Sequence, residues 1–292
     1  MARAGSHLAA ALGLVAALAA ASAGMASAGG AEADDRPARI VSLNLCADEL
    51  VLRLVDRERV ASVTWLARDP RGSTVAAAAA EVPVNRGLAE EVVPLAPDLV
   101  LAGAYTTRTT VALLRRLGVR VVELGLPATL DAVRGQIREV ARLVDEPARG
   151  EALVAEMDAR LAAVRPADGA TALLLRPNGL VTGAGGLVDA LMGEAGLVNL
   201  AATMPLGGGG DVPLERVVMA DPDVLLIDAE PDGPPALGAA LLEHPALAGR
   251  GRVARVPTRF LACAGPQVAE AVALLAAAGR GAAAGPAGEG SR

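Results

Sequence analysis

The three aromatic residues of the chain, one Trp, one Tyr and one Phe, lie just beyond predicted strands. Trp65 and Tyr105 each come two residues after such a strand, and Phe260 comes four residues after another. Ligands of parallel α/β proteins bind outside the carboxyl ends of the strands, so we expect these rings to line a ligand site. The alternative is that the rings close the edges of hydrophobic cores.

Arginines accompany the aromatic residues. A guanidinium group pairs with carboxylate or catecholate oxygens and also stacks on rings. Each arginine alone is typical of a solvated surface, whereas the set predicts an anionic ligand such as a ferric siderophore. The set consists of Arg68, Arg108, Arg176 and Arg259.

The two cysteines are also candidates for ligand contact. Cys46, together with Asn44, follows the first predicted strand, and Cys263 follows the last, which places the cysteines in loops of opposite lobes. They are interpreted first as small buried side chains, second as thiolates that contact a ligand's metal, and third as a disulfide. The disulfide comes last because it would clamp two lobes that need to open.

The chain lacks the usual signatures of an enzyme. Its histidines are His7 and His244, too few for a histidine metal site or a convincing Ser-His-Asp triad. No Cys-x-x-Cys is present, and the glycine-rich stretch at 182–186 is not followed by Gly-Lys-Ser/Thr. We therefore predict a protein without catalytic activity, bound cofactor or metal site.

The elements that must position these residues come in two sets of alternating strand and helix patterns. This alternation predicts an α/β fold of two Rossmann-like lobes, each with a central, mostly parallel sheet. Between the sets, Leu130–Val144 and Pro147–Val164 show no strand signal, so a long α-helix is expected to join the lobes. The predicted strands are Arg39–Leu43, Val60–Val63, Asp98–Gly103 and Val119–Leu124, then Thr171–Arg176, Asp223–Asp228 and Arg252–Val256.

The first residues predict export. Arg3, an apolar run at Leu8–Ala21 and the small residues Ala26-Ser27-Ala28 are typical of a cleaved signal peptide, and no cysteine follows that would indicate a lipoprotein. The predicted divisions are a signal peptide (1–28), a flexible N-terminus (29–38), an N-terminal lobe (39–145), a bridging helix (146–166), a C-terminal lobe (167–280) and a disordered tail (281–292). We expect a soluble periplasmic monomer that is not embedded in the membrane. A net charge of −6 without a basic run argues against nucleic acid as a partner.

One segment occurs twice. Residues 90–101, beginning at Glu90, match residues 215–226, beginning at Glu215, and both copies contain a Pro-Asp pair followed by an apolar strand. The helix ends before the proline, and the strand enters the sheet after the aspartate. Each lobe is therefore expected to carry the same unit.

Five short segments occur in order along the chain: Arg39-Ile40-Val41-Ser42-Leu43, Pro97-Asp98-Leu99-Val100, Leu117-Gly118-Val119, Gly196-Leu197-Val198-Asn199 and Pro222-Asp223-Val224. In the order of these segments, the chain from about Arg39 to about Ala278 resembles the periplasmic binding proteins for ferric siderophores and cobalamin, whose lobes are bridged by one long helix.

The resemblance implies the solute-binding component of an ABC importer, which captures an iron-siderophore or cobalamin-type chelate between its lobes. It further implies that Glu90 and Glu215 pair with arginines of a permease dimer that works with its ATPase. A solvated glutamate in the first turn of a helix is the ordinary alternative for either residue alone. A corrinoid or haem-like ligand with a cysteine contact, and an enzyme or signalling module on the same fold, remain alternatives.

Overall fold

The computed structural model describes residues 36–204, 210–228, 242, 244–247 and 252–283. The predicted signal peptide and most of the predicted tail lie outside these residues. The strands are β1 Ile40–Ser42, β2 Val60–Thr64, β3 Val84–Asn85, β4 Leu99–Gly103, β5 Val121–Leu124, β6 Thr171–Leu175, β7 Leu180–Val181, β8 Val198–Asn199, β9 Gly210–Asp211, β10 Val224–Asp228 and β11 Arg252–Val256. The helices are α1 Leu45–Leu54, α2 Ala76–Ala79, α3 Ala89–Val92, α4 Arg108–Arg116, α5 Leu130–Leu143, α6 Pro147–Ala162, α7 Leu187–Glu194, α8 Leu214–Ala220, α9 Thr258–Leu261 and α10 Val268–Ala283.

Strands β1 to β5 form one parallel sheet, which with its helices we call the first lobe. Within the described residues its strand order is β3-β2-β1-β4-β5. The chain leaves β1 towards β2 on one side and later returns to β4 on the other, so the strand order reverses beside β1. Such a reversal opens a crevice at the carboxyl ends of the two strands.

Strands β6 to β11 form the sheet of the second lobe. Strands β8, β6, β10 and β11 pair in parallel, whereas β7 and β9 add an antiparallel edge that the sequence did not predict. The central strands β6 and β10 are almost entirely buried, which matches their continuous apolar sequences. The predicted α/β class with two mostly parallel sheets is confirmed.

Helix α6 packs against α5 of the first lobe and α10 of the second. Gly150 permits the close approach to α5, because a β-carbon there would lie 2.4 Å from that of Ala141. At its start, Glu146 accepts a 2.7 Å hydrogen bond from Arg59, and near its end Arg160 pairs with Glu270 of α10. The helix is thus fastened to both lobes.

One hydrophobic core runs through the junction of the lobes. It includes buried Ile137 of α5, Met157 of α6 and Val272 of α10. Some residues of the predicted flexible N-terminus and of the predicted tail are attached to the lobes. Ala38 donates its backbone N–H to Asp98 at 2.7 Å, and residues 281–283 continue helix α10. The exact boundaries between the lobes remain a prediction.

Candidate ligand-binding cleft

A cavity of about 540 Å³ lies between the two lobes, at the carboxyl ends of β1, β4 and β5. This is the crevice that the reversal of strand order creates in the first lobe. The second lobe contributes the start of α7 and the turn after α9. The lining residues are Asn44, Leu45, Cys46, Gly103, Ala104, Tyr105, Leu124, Gly125, Leu126, Pro127, Ala128, Gln136, Gly186, Leu187, Leu261, Ala262, Cys263 and Ala264.

Hydrogen bonds fix the loop after β1. The side chain of Asn44 caps α1, its Oδ1 accepting from the backbone N–H of Cys46 at 2.9 Å and more weakly from that of Ala47 at 3.4 Å. In the neighbouring loop, Thr106 Oγ1 accepts from the backbone N–H of Gly103 at 2.9 Å and donates to the carbonyl of Leu43 at 3.4 Å. The two loops of the crevice are therefore joined before any ligand arrives.

The rim of the cavity on the first lobe is apolar and exposed. Tyr105 is 85% exposed and Leu126 is 63% exposed, although both line the cavity. The loop that carries Leu126 is held from behind, because buried Gln136 of α5 donates a 3.0 Å hydrogen bond to the carbonyl of Gly125. The open rim therefore presents large apolar side chains on a fixed backbone.

Among the described residues that line the cavity, no side chain is charged. Of the residues predicted from the sequence, the structure brings Asn44, Cys46, Tyr105 and Cys263 together there. Leu126, Gln136 and Leu187 also line the cavity but were not predicted from the sequence. Leu126 could have been predicted, since it lies in the loop after the predicted strand that ends at Leu124 and ligands bind at such loops. Nothing in the sequence indicated Gln136.

The predicted arginines lie outside the lining of this cavity. Arg68 donates to the backbone carbonyls of Ala79 at 3.1 Å and Val82 at 2.7 Å, and so supports its own lobe. Arg108 is the exposed first residue of α4, and Arg176 follows β6. The described part of the cavity therefore lacks the cluster of guanidinium groups that the sequence suggested.

The remaining two aromatic residues also lie outside it. Trp65 follows β2 and is 52% exposed. Phe260 lines a second cavity of about 460 Å³ against α6. The Arg259 guanidinium lies over the Phe260 ring, 4.8 Å from the ring centre, in a cation–π contact. Of the three rings, Tyr105 alone lines the interlobe cavity within the described residues.

The cysteines form a disulfide, so the order of preference given to them was wrong. Cys46, in the first turn of α1, is bonded to Cys263, between α9 and α10, with 5.1 Å between the Cα atoms. This distance lies in the ordinary range for a disulfide. The sequence argument failed because it treated lobe opening as a requirement, whereas the two loops meet at one wall of the cavity.

Two acidic residues of α1, the helix that carries Cys46, are buried. Asp48 accepts hydrogen bonds from the backbone N–H of Thr64 at 3.1 Å and from its hydroxyl, which ties α1 to the end of β2. Burial raises the pKa of Asp48 to about 7, and the hydrogen bonds from Ser42 and Thr64 oppose this shift only in part. Glu49 is paired with Arg53 at 2.6 Å and accepts from Thr74.

The repeated segments occupy equivalent places in the two lobes. Asp98 accepts from the backbone N–H of Arg39 just before β1, and Asp223 accepts from that of Thr171 at the start of β6. The residues before the two prolines, Ala96 and Asp221, share a left-handed backbone conformation. The same turn therefore fastens the first strand of each lobe to its neighbour.

Glu90 and Glu215 stand at matching positions in this repeat. Each is the second residue of its helix, α3 or α8, and each is exposed. Neither forms an ion pair within the described part of the chain. Two unpaired carboxylates, one on each lobe, are thus available at the surface.

In the described part of the chain, no group of three His, Cys, Asp or Glu side chains is arranged to hold a metal ion. None of the described helices is both long and apolar enough to span a membrane.

The sequence profile of the periplasmic binding protein family matches residues 40–250. The chain belongs to this family. A curated relative, the cobalamin-binding protein of Halobacterium salinarum, is 29% identical over 262 residues, which cover 83% of this chain and 69% of that protein.

Two solved structures share both fold and sequence with the protein. The periplasmic heme-binding protein RhuT of Roseiflexus sp. RS-1, in its apo form, is 29% identical with a TM-score of 0.69 and covers 84% of this chain and 98% of its own. A periplasmic heme-binding protein of Pseudomonas aeruginosa is 25% identical with a TM-score of 0.68 and covers 84% and 93%. This periplasmic binding protein is therefore similar to proteins named for haem and for cobalamin.

Proposed function

We propose that the protein is the solute-binding component of an ABC importer and that it captures a metal tetrapyrrole, of the haem or corrinoid class, in the interlobe cavity. The observation that carries this proposal is the lining of the cavity, which in the described residues is uncharged and mainly apolar. A tetrapyrrole presents two broad apolar faces, which such walls bury favourably. Its polar edge groups would stay in water at the open rim beside Tyr105 and Leu126.

The similar proteins support the same class of ligand. One is named for cobalamin and two for haem, and both ligands are metal tetrapyrroles. A ferric siderophore was favoured from the arginines of the sequence, but those arginines lie outside the described lining of the cavity. The tetrapyrrole class therefore replaces the siderophore in our proposal.

The two copies of the repeat provide a way for the protein to dock on a permease and deliver its ligand. Exposed Glu90 and Glu215, one on each lobe, can form charge-assisted hydrogen bonds with arginines of a two-fold symmetric permease. The ligand is handed over unchanged, so the protein needs no catalytic group. Export would proceed through the signal peptide, with cleavage after residue 28.

The location of the site is tested with two leucine substitutions. Leu126→Glu places a carboxylate on the lining of the cavity, whereas Leu117→Glu places one on a leucine that is 55% exposed and lies outside the lining. Both leucines are exposed, so both variants should fold. Binding of haem or cobalamin, followed by absorbance, should weaken about tenfold or more in Leu126→Glu and remain unchanged in Leu117→Glu. Equal affinities in the two variants would place the ligand elsewhere.

A further inference from the structure

We propose that the Cys46–Cys263 disulfide is a redox-cleavable tether across the ligand cleft, and that its reduction opens the cleft and speeds release of the ligand. The part of this inference that concerns the ligand rests on the function proposed above. The disulfide joins the two lobes across 217 residues of sequence, and both cysteines line the cavity. Reduction of this bond therefore breaks a covalent connection between the two lobes at the cavity wall.

Both ends of the tether are attached to fixed structure. Cys46 lies in the first turn of α1, where Asn44 caps the helix and Leu50 and Val51 are fully buried. The carbonyl of Cys263 accepts a 3.1 Å hydrogen bond from buried Gln267, just before α10. A cross-link between fixed elements limits the movement of whole lobes, whereas one between loose loops would not.

The size of that limit follows from disulfide geometry. Two cysteines cannot remain bonded once their Cα atoms are more than about 7 Å apart. The present separation is 5.1 Å, so the oxidised protein can widen this wall only slightly. Helix α6 holds the lobes at a second place through its contacts with α5 and α10. The reduced protein keeps the helix contacts of the junction but loses the covalent link at the cleft, so its lobes can move further apart on that side.

The chemistry is a thiol–disulfide exchange with a dithiol. A thiolate of the dithiol attacks one sulfur, the Cys46–Cys263 bond breaks, and a mixed disulfide forms; the second thiol of the dithiol then displaces the protein cysteine. The protein gains two electrons and two protons, and the dithiol becomes a disulfide. Cys46 is partly exposed while Cys263 is buried, so the attack should occur at Cys46.

The first test needs no ligand. Hydrogen exchange is compared in the oxidised protein, in the protein reduced with dithiothreitol and in the Cys46→Ser/Cys263→Ser variant. Exchange in residues 261–265 should be about tenfold faster in the last two samples than in the first. Alkylation should modify two thiols only after reduction. Equal exchange in the three samples, or two free thiols in the protein purified without reductant, would overturn the tether.

The second test measures release of gallium protoporphyrin IX, a fluorescent tetrapyrrole whose metal is not reduced by the thiol. Its dissociation should be about tenfold faster from the reduced protein and from the double serine variant than from the oxidised protein. Dithiothreitol should have no further effect on the variant. Binding with equal release rates would overturn the control of release while leaving the proposed function intact. If neither the gallium compound nor cyanocobalamin binds in any redox state, the proposed function fails, and the exchange experiment still decides on the tether.

Discussion

The amide of Asn44 lies against the backbone of Gly103, so that a β-carbon at residue 103 would come within 2.6 Å of the amide nitrogen. This contact joins the loops after β1 and β4, the two strands that form the crevice. We expect Gly103→Ala to displace Asn44, which caps α1, and to destabilise the protein by about 1–3 kcal/mol. Urea unfolding followed by circular dichroism measures the change.

The control for this variant is Gly125→Ala. Gly125 also lines the cavity, but a β-carbon there has no neighbour within 4 Å. Its free energy of unfolding should stay close to that of the unaltered protein. If the two variants are equally stable, the close packing of Asn44 on Gly103 does not constrain the crevice.

Buried Asp48 should make stability depend on pH. Its pKa is raised by burial from 3.8 to about 7, so the folded protein keeps this proton over a range in which the unfolded chain has lost it. The contribution is fully present below about pH 4 and is lost as the pH rises to about 7, by at most about 1.4 kcal/mol per pH unit. Above about pH 7 it should level off.

Asp48→Asn removes this titration while preserving the shape of the side chain. The free energy of unfolding is measured in urea between about pH 4 and 8 for both proteins. The difference between them should change with pH in the direction just given. A constant difference across the range would mean that Asp48 keeps an ordinary pKa.

Asp223 of the repeat should stabilise the protein through hydrogen bonds to its ionised carboxylate, the opposite of the situation at Asp48. Asp223 accepts hydrogen bonds from the backbone N–H and the hydroxyl of Thr171 at 2.8 and 2.6 Å, which lower its pKa. Asp223→Ala should lower the free energy of unfolding by about 1 kcal/mol, a modest value because the carboxylate is exposed. Asp168→Ala removes an exposed carboxylate without a hydrogen-bond partner in the described structure. An equal loss in this control would indicate an effect of net charge alone.

Docking to the permease is tested in cells. The Glu90→Arg/Glu215→Arg variant should lower uptake of the ligand about tenfold or more, because it places like charges against the permease arginines, while binding by the purified protein is unchanged. The control, Glu81→Arg/Glu194→Arg, reverses one other exposed glutamate on each lobe. Wild-type uptake in the first variant, or the same loss in both, would refute the assignment of Glu90 and Glu215.

Much of the fold could be predicted because its elements are marked locally. The apolar strand Thr171–Leu175 and the helix that begins at Pro147 each carry a pattern that a short stretch of sequence determines. The repeat was also recognisable in sequence. Its structural basis, the shared left-handed turn at Ala96 and Asp221, was not, because alanine rarely adopts that conformation and aspartate, although enriched in it, adopts it in only a minority of cases.

The site was predicted less well, because a cavity between lobes depends on packing over long distances. The expectation that ligands bind beyond the carboxyl ends of strands selected Asn44 and Tyr105, and both residues line the cavity. It also selected Arg68, whose guanidinium instead supports backbone carbonyls of its own lobe. No local pattern could indicate that Cys46 and Cys263 meet, since their approach depends on how α6 sets the two lobes.

The most direct test of the proposed function is an equilibrium titration of the purified, oxidised protein with haem and with cyanocobalamin. Absorbance follows binding, and mass spectrometry identifies the recovered ligand. We predict that at least one of the two tetrapyrroles binds in a single saturable step, at one molecule per chain, and is recovered unchanged. Failure of both to bind, or saturable binding of a ferric siderophore alone, would contradict the assignment of the interlobe cavity to a metal tetrapyrrole.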